Sequence, residues 1–273
     1  MAVSPPRIAI PMPHSGNREY AERAIPQYER AVAMAGGEPV RIPLDRTPAE
    51  VMKIVERCDA VLLPGSSADV DPAKFGAARS LRTAASDARR DTVDELLLQD
   101  AYNMRKPILG ICYGLQSLNV YRSGSLVQHI PDFLPEELRT RVNHEAGKKV
   151  PVAHSVEIEK DSKLSEIVFG QRKPGPASPG KAEGFVLPVN SSHHQSADSI
   201  GDGLRVTARC LEDGIVEALE GTGPDHFVIA VQWHPERSVE EDEASRAIFR
   251  ALTEAAGKRH KVLLGEFESV GKD

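Results

Sequence analysis

Four short apolar runs, each followed by a segment of helical period, constrain this chain more than any other feature. Residues 7–11, 39–42, 60–63 and 107–111 are too short for helices and carry the Ile, Val and Leu of buried strands. After the first, residues 20–35 place Ala24, Ile25, Tyr28, Ala31, Val32 and Ala35 at helical spacing, and Gly36 with Gly37 stops the pattern. Thr47, Pro48 and Glu50 read as a capping box with proline at the first helical position, opening a helix to about Arg57. A third helix is predicted over 91–105, with Val93, Leu96, Leu97 and Met104 turned inward, and a fourth over 115–121. Strands alternating with helices predict an α/β fold, a mostly parallel central sheet flanked by helices on both faces. In such sheets ligands sit outside the carboxyl ends of the strands.

The second half adds extra strands, at 154–158, 185–189, 205–210, 216–220 and 227–232, before a closing helix over 240–256. Residues 171–184, with Pro174, Pro176 and Pro179 among glycines, read as a Pro/Gly-rich loop, either a flap or a plain surface insertion. Residues 258–273 read as a C-terminal tail. A length of 273 residues suits one domain spanning 1–273.

Composition excludes several classes of function. With 34 Lys plus Arg against 40 Asp plus Glu, the formal charge is −6, and no basic run offers a nucleic-acid phosphate site. No stretch has the ~18 apolar residues of a membrane span, and the start lacks the basic and apolar regions of a signal peptide. Three scattered cysteines, Cys58, Cys112 and Cys210, read as reduced thiols rather than a disulfide framework. The expected location is the cytoplasm. The assembly state is not readable, a C2 homodimer being the commonest soluble form.

Cys112 stands apart from the other two thiols. It lies in the segment GICYG (110–114), at the junction of an apolar strand and a helix. A nucleophile elbow has this form: a sharp turn exposes the side chain, and flanking glycines let the backbone close around it. A helix N-terminus beside the sulfur would favour thiolate, the reactive species. Cys58 and Cys210 sit in apolar patterns and read as buried structural thiols.

A cysteine nucleophile needs a histidine to take its proton and return it to the leaving group. The chain has nine histidines, so context must choose. His234 follows the 227–232 strand, and Glu236, two residues on, falls on the same side of an extended backbone. Glu236 could then fix the His234 tautomer, the third role of a triad, with Pro235 stiffening the link. The same His-x-Glu could belong to a metal site with His193 and His194 as further ligands. No His-Glu-x-x-His helix or comparable cluster supports that in sequence, so no metal is expected.

Four segments together carry a resemblance: LPGSSADVDP (63–72), GICYGLQ (110–116), VNSSHHQ (189–195) and VQWHPE (231–236). In this order and spacing the chain resembles the class I glutamine amidotransferase superfamily. Within it, the similarity is to the stand-alone γ-glutamyl-γ-aminobutyrate hydrolase-like enzymes of peptidase family C26. The resemblance implies a flavodoxin-like core and a Cys112–His234–Glu236 triad. It implies an oxyanion hole from backbone N–H groups of Gly65 or Ser66 and of Tyr113. It also implies a glutamyl pocket lined by Gln116, Ser192, His193, His194 and Gln195. Asp69 and Asp71 share the Gly65 loop, where a turn role is equally open. Relatives commonly carry a Gly-Gly pair where this chain has Ser123 and Gly124.

The expected reaction is hydrolysis of the γ-glutamyl amide of a small molecule through a cysteinyl thioester, with no cofactor. A glutaminase subunit feeding ammonia to a separate synthetase is the alternative. A secreted folyl-polyglutamate hydrolase is disfavoured by the missing signal peptide. A non-catalytic binding protein on the same fold is a further reading, which the intact Cys112, His234 and Glu236 weigh against.

Overall fold

The computed structural model describes residues 4–170 and 185–264. The Pro/Gly-rich segment 171–184 and the last part of the tail, 265–273, lie outside the described residues. The first half follows the expected alternation. β1 (Arg7–Pro11) leads to α1 (Arg18–Met34), β2 (Glu38–Ile42) to α2 (Pro48–Val55), and β3 (Ala60–Leu63) through a 3₁₀ turn to α3 (Ala88–Met104). β4 (Ile108–Ile111) runs into α4 (Tyr113–Tyr121), and β5 (Leu126–Val127) and α5 (Ile130–Phe133) follow. The second half holds β6 (His154–Ile158), α6 (Lys163–Phe169), β7 (Phe185–Val189), β8 (Ser196–Ala197), β9 (Leu204–Cys210), β10 (Val216–Gly221), β11 (Val228–Val231) and α7 (Glu243–Leu264).

Among the described residues, nine strands form one sheet in the order β2-β1-β3-β4-β11-β10-β9-β6-β7, and β5 pairs with β8 separately. The five strands from β2 to β11 are parallel, and every pairing beyond β11 is antiparallel. This is the mostly parallel sheet with extra second-half strands that the patterning predicts. Successive strand residues face opposite layers. Ile8, Ile10, Leu62 and Ile229 pack against Ile25, Tyr28 and Val32 of α1 and Phe249 and Leu252 of α7. Ala9, Val61, Leu63 and Ala230 pack against Val51 and Val55 of α2, Leu97 of α3 and Leu115 and Leu118 of α4. β3, β4 and β11 are buried along their whole length, so their residues show no polar alternation.

Local chemistry fixes the helix starts. The Thr47–Glu50 capping box is formed in both directions. Asp87 caps α3 by accepting from the N–H groups of Arg89 and Arg90, and it also accepts from Ser15.

Two expectations are corrected. Met104 is 53% exposed rather than inward. It is the last residue of α3, where Arg105 turns left-handed and the chain leaves for β4. The inward face carries Arg90 and Asp94 instead, a fully buried ion pair at 2.6 Å that no apolar template registers. The tail is the second correction: α7 continues through Gly257 to Leu264 rather than ending near 256. His260 anchors that extension by a 2.9 Å contact with Asp59. Among the described residues no helix is long and apolar enough to cross a membrane.

Ser123 adopts φ 70°, left-handed backbone in which a side chain is strained.

Candidate active site

The carboxyl ends of β3, β4 and β11 lie side by side, and Gly65, Cys112 and His234, which follow them, come together. Cys112 follows β4 directly. Its N–H donates to Val231 O at 2.8 Å, tying the elbow to the end of β11. Its backbone sits at φ 53°, ψ −105°, a region that L-residues rarely enter and that costs on the order of 1–3 kcal/mol. The two glycines make the turn sterically feasible. A Cβ on Gly110 would meet Gly114 O at 2.8 Å, and one on Gly114 would run into the Leu63 carbonyl. GICYG is therefore a packing requirement of β3, β4 and α4 as well as a motif.

His234 leaves β11 as the N-cap of a 3₁₀ turn over Pro235–Arg237, which corrects the extended backbone expected for 234–236, and three hydrogen bonds hold it. Asn190 accepts from His234 N–H at 3.0 Å and donates its amide to His234 O at 2.9 Å. Glu236 Oε1 contacts His234 Nδ1 at 2.8 Å. With Nδ1 donating to the carboxylate, Nε2 carries the lone pair, and it is buried with no hydrogen-bond partner among the described residues. The point where a Gly65 Cβ would stand is 3.0 Å from His234 Cε1 and 3.6 Å from Cys112 Cβ. His234, Tyr28 and Cys112 thus crowd the Gly65 loop, and their close approach needs a residue without a side chain there.

Electrostatics set the resting protonation. Burial pushes the Cys112 thiol up to about 12; the Arg237 charge and the Tyr113 N–H pull it down, but they are outweighed. The Tyr113 N–H at the start of α4 favours thiolate as expected, but desolvation is the larger effect. Burial also lowers the His234 pKa, against the opposing pull of Glu236. Glu236 is pushed up by burial but ends below its ordinary value, because the His234 and Arg237 charges and the His234 hydrogen bond outweigh desolvation. These shifts favour a neutral thiol and a neutral imidazole beside an ionised Glu236 in the free protein.

A cavity of about 190 Å³ opens beside Cys112, bordered by Ser66, Asp69, Tyr113, Gln116, Glu145, Ser192, His193, His194 and Gln195. All of the sequence-predicted substrate residues therefore come to one pocket. Their polar groups are differently engaged. Gln116 Nε2 donates to Gln195 O at 3.1 Å, and Gln195 Nε2 donates to Gln128 O at 3.2 Å. Ser192 Oγ accepts from Arg237 at 2.8 Å, and His194 Nε2 lies 3.1 Å from Asp69 Oδ1. His193 borders the pocket, but its Nδ1 faces Gln195 O and its Nε2 faces Glu217. Asp71 caps the 3₁₀ turn at Pro72–Phe75 through Ala73 N–H. Gly65 N–H donates to Tyr28 Oη at 3.0 Å.

Three contributors escape sequence reasoning. Arg90, on α3, donates to Pro64 O at 2.7 Å and Pro13 O at 3.1 Å, pinning the loop that faces Cys112. Asn190 clamps the His234 backbone, and only its place in the VNSSHHQ segment hinted at it. A buried group of His144, His154, His193 and Glu217 gathers four metal-ligating side chains whose donor atoms all lie within 4.8 Å of one another. It involves His193 as the metal alternative anticipated, but with different partners from His234 and Glu236.

Comparison with known proteins fits this geometry. The Peptidase C26 family model matches residues 8–236, and the chain belongs to that family. A protein of Rickettsia prowazekii named as glutamine amidotransferase-like is 32% identical over 263 residues, covering 84% of this chain and 87% of its own. The γ-glutamyl-γ-aminobutyrate hydrolase of Escherichia coli K12 is 30% identical over 254 residues, covering 92% and 93%. The glutaminase domain of Trypanosoma brucei CTP synthase, solved with acivicin, superposes with a TM-score of 0.56 at 18% identity, covering 93% and 94%. The fold is that of the class I glutamine amidotransferase domains, and the chain is an amidotransferase-like hydrolase of C–N bonds.

Proposed function

We propose that the protein hydrolyses the γ-glutamyl amide bond of a small molecule through a thioester on Cys112, with His234 as base and acid and Glu236 as its orienter. The observation that carries this reading is the close approach of Cys112 and a Glu236-bound His234 at Gly65. In the first step Cys112 Sγ attacks the δ-carbonyl carbon while its proton passes to His234 Nε2. The carbonyl oxygen becomes an oxyanion. We assign its donors to Ser66 N–H and Tyr113 N–H, because Gly65 N–H is already spent on Tyr28. The C–N bond then breaks, and the imidazolium gives its proton to the departing amine. Water, deprotonated by the neutral imidazole, attacks the thioester, releasing glutamate and restoring the thiol.

The charged ends of a glutamyl group suit the pocket. Asp69 and Glu145 on its border offer carboxylates to an α-ammonium, and the loop 192–195 offers backbone groups to the α-carboxylate, with Gln116 bordering the same pocket. All of the chemistry is assigned to side chains and backbone of one domain, with no cofactor. Three free buried thiols suit a reducing compartment such as the cytoplasm.

A panel of γ-glutamyl amides, including glutamine, assayed with wild type and Cys112→Ala tests the reading. Turnover of γ-glutamyl amines lost in Cys112→Ala supports it. Equal turnover by both proteins refutes the thiol mechanism. Activity on glutamine alone, raised by a synthetase partner, would replace the hydrolase with a glutaminase subunit.

A further inference from the structure

We propose that His144, His154, His193 and Glu217 form a closed structural zinc site beneath the catalytic pocket. The four come from separate parts of the chain. His154 opens β6, Glu217 lies in β10, His193 is in the loop after β7, and His144 is in the long irregular segment after α5. All four side chains are at most 4% exposed.

The spacing points to an ion rather than to hydrogen bonds. Glu217 Oε1 lies 3.3 Å from His144 Nδ1, 3.3 Å from His154 Nε2 and 3.5 Å from His193 Nε2. A carboxylate accepting from imidazolium would close to about 2.7–2.9 Å. Ligands held at about 2.0–2.1 Å from a tetrahedral zinc stand roughly 3.3 Å from each other. None of these three nitrogens, nor either Glu217 oxygen, has a hydrogen-bond partner among the described residues. Orphaned polar atoms buried this deeply are expensive unless something coordinates them.

The tautomers of two of the three histidines agree, while His154 has no hydrogen-bond partner on either nitrogen among the described residues. A backbone carbonyl only accepts, so His193 Nδ1, 2.9 Å from Gln195 O, carries the hydrogen and leaves the Nε2 lone pair facing Glu217. His144 Nε2, 2.9 Å from Asp213 Oδ2, donates likewise and frees Nδ1. These are the outer hydrogen bonds that orient metal-ligating histidines, the second being a carboxylate–histidine–metal relay. Filling the cluster with protons instead would crowd imidazolium rings, since the His144 ring centroid is 4.8 Å from both His154 and His193. Three nitrogens and one oxygen in a dry site suit Zn²⁺, and four protein ligands leave no open position for catalysis. The ion would staple the His144 segment and the 190–195 loop to the sheet, holding the pocket wall and the Asn190 clamp in place.

The test is metal content and titration of the full chain, independent of any hydrolase activity. Protein expressed with zinc should carry about one zinc per chain. Cys112→Ala should retain it, and Glu217→Gln and His154→Gln should each lose it. Cobalt in its place should give tetrahedral d–d bands without thiolate charge transfer. Chelation should speed amide exchange across 140–153 while far-UV dichroism persists. Calorimetric titration of zinc into chelated wild type gives the stoichiometry even if a variant fails to fold. Absence of stoichiometric binding in that titration overturns the proposal. Equal zinc in wild type and both variants, or a thiolate charge-transfer band, overturns it as well.

Discussion

Gly114→Ala places a single methyl group at the contact that forms the elbow. The new Cβ would overlap the Leu63 carbonyl oxygen and lie 2.7 Å from Leu63 Cβ and 2.8 Å from Leu63 C. These atoms belong to β3, hydrogen-bonded between β1 and β4, so the strand cannot move aside alone. The start of α4 must move, and Cys112 moves with it. Overpacking of this kind costs about 3 kcal/mol. For a chain this size that lowers Tm by roughly 6–12 °C. A displacement of the nucleophile by about 1 Å costs on the order of 100-fold in kcat. Gly257→Ala provides the control. It makes the same change inside α7, where a Cβ meets nothing within 4 Å, so helix propensity should raise stability by about 1 kcal/mol. Calorimetry and γ-glutamyl hydrolysis on both variants check the pair. Wild-type Tm and rate in Gly114→Ala would refute the account of the elbow.

Arg90→Met should cost about 3–5 kcal/mol by leaving Asp94 buried without its partner. Arg90→Met with Asp94→Leu should regain most of that in chemical denaturation while kcat stays low, because Pro64 O has lost its anchor. Ser123→Gly should raise stability by about 1 kcal/mol in the same assay, relieving a left-handed serine; an unchanged or lower midpoint contradicts the strain. The pH dependence follows from a lowered His234 and a raised Cys112. The base is active when neutral, so the acid limb of kcat/KM should fall below the ordinary histidine value of about 6.5. Alkylation of free Cys112 by iodoacetamide should keep accelerating above about pH 9, since the thiol titrates late. A plateau below neutrality would show a resting thiolate–imidazolium pair instead.

How far the sequence led depends on the length scale of each feature. Strands β3 and β4 and the Thr47 cap are local: apolar runs and a capping box declare themselves within ten residues. The pairing of His234 with Glu236 is local too, two positions apart, although the side chains meet across a 3₁₀ turn rather than along an extended segment. Arg90 looks like an ordinary surface arginine in a helix, because its partners Pro13, Pro64 and Asp94 include two carbonyls far along the chain. The spent Gly65 N–H depends on a tyrosine hydroxyl 37 residues earlier. The zinc ligands are invisible for the same reason, since His144, His154, His193 and Glu217 follow no knuckle or helical spacing. The helix end that favours thiolate can be read from sequence, whereas the depth of burial that opposes it around the sulfur cannot.

The central claim is a γ-glutamyl thioester on Cys112, and rapid acid quench with intact-mass spectrometry tests it most directly. Mixing the protein with a γ-glutamyl amide should give a transient adduct of one γ-glutamyl group, mapped by proteolysis to the peptide containing Cys112 and absent in Cys112→Ala. Steady turnover without any adduct on that peptide, or the same adduct in Cys112→Ala, would contradict the mechanism.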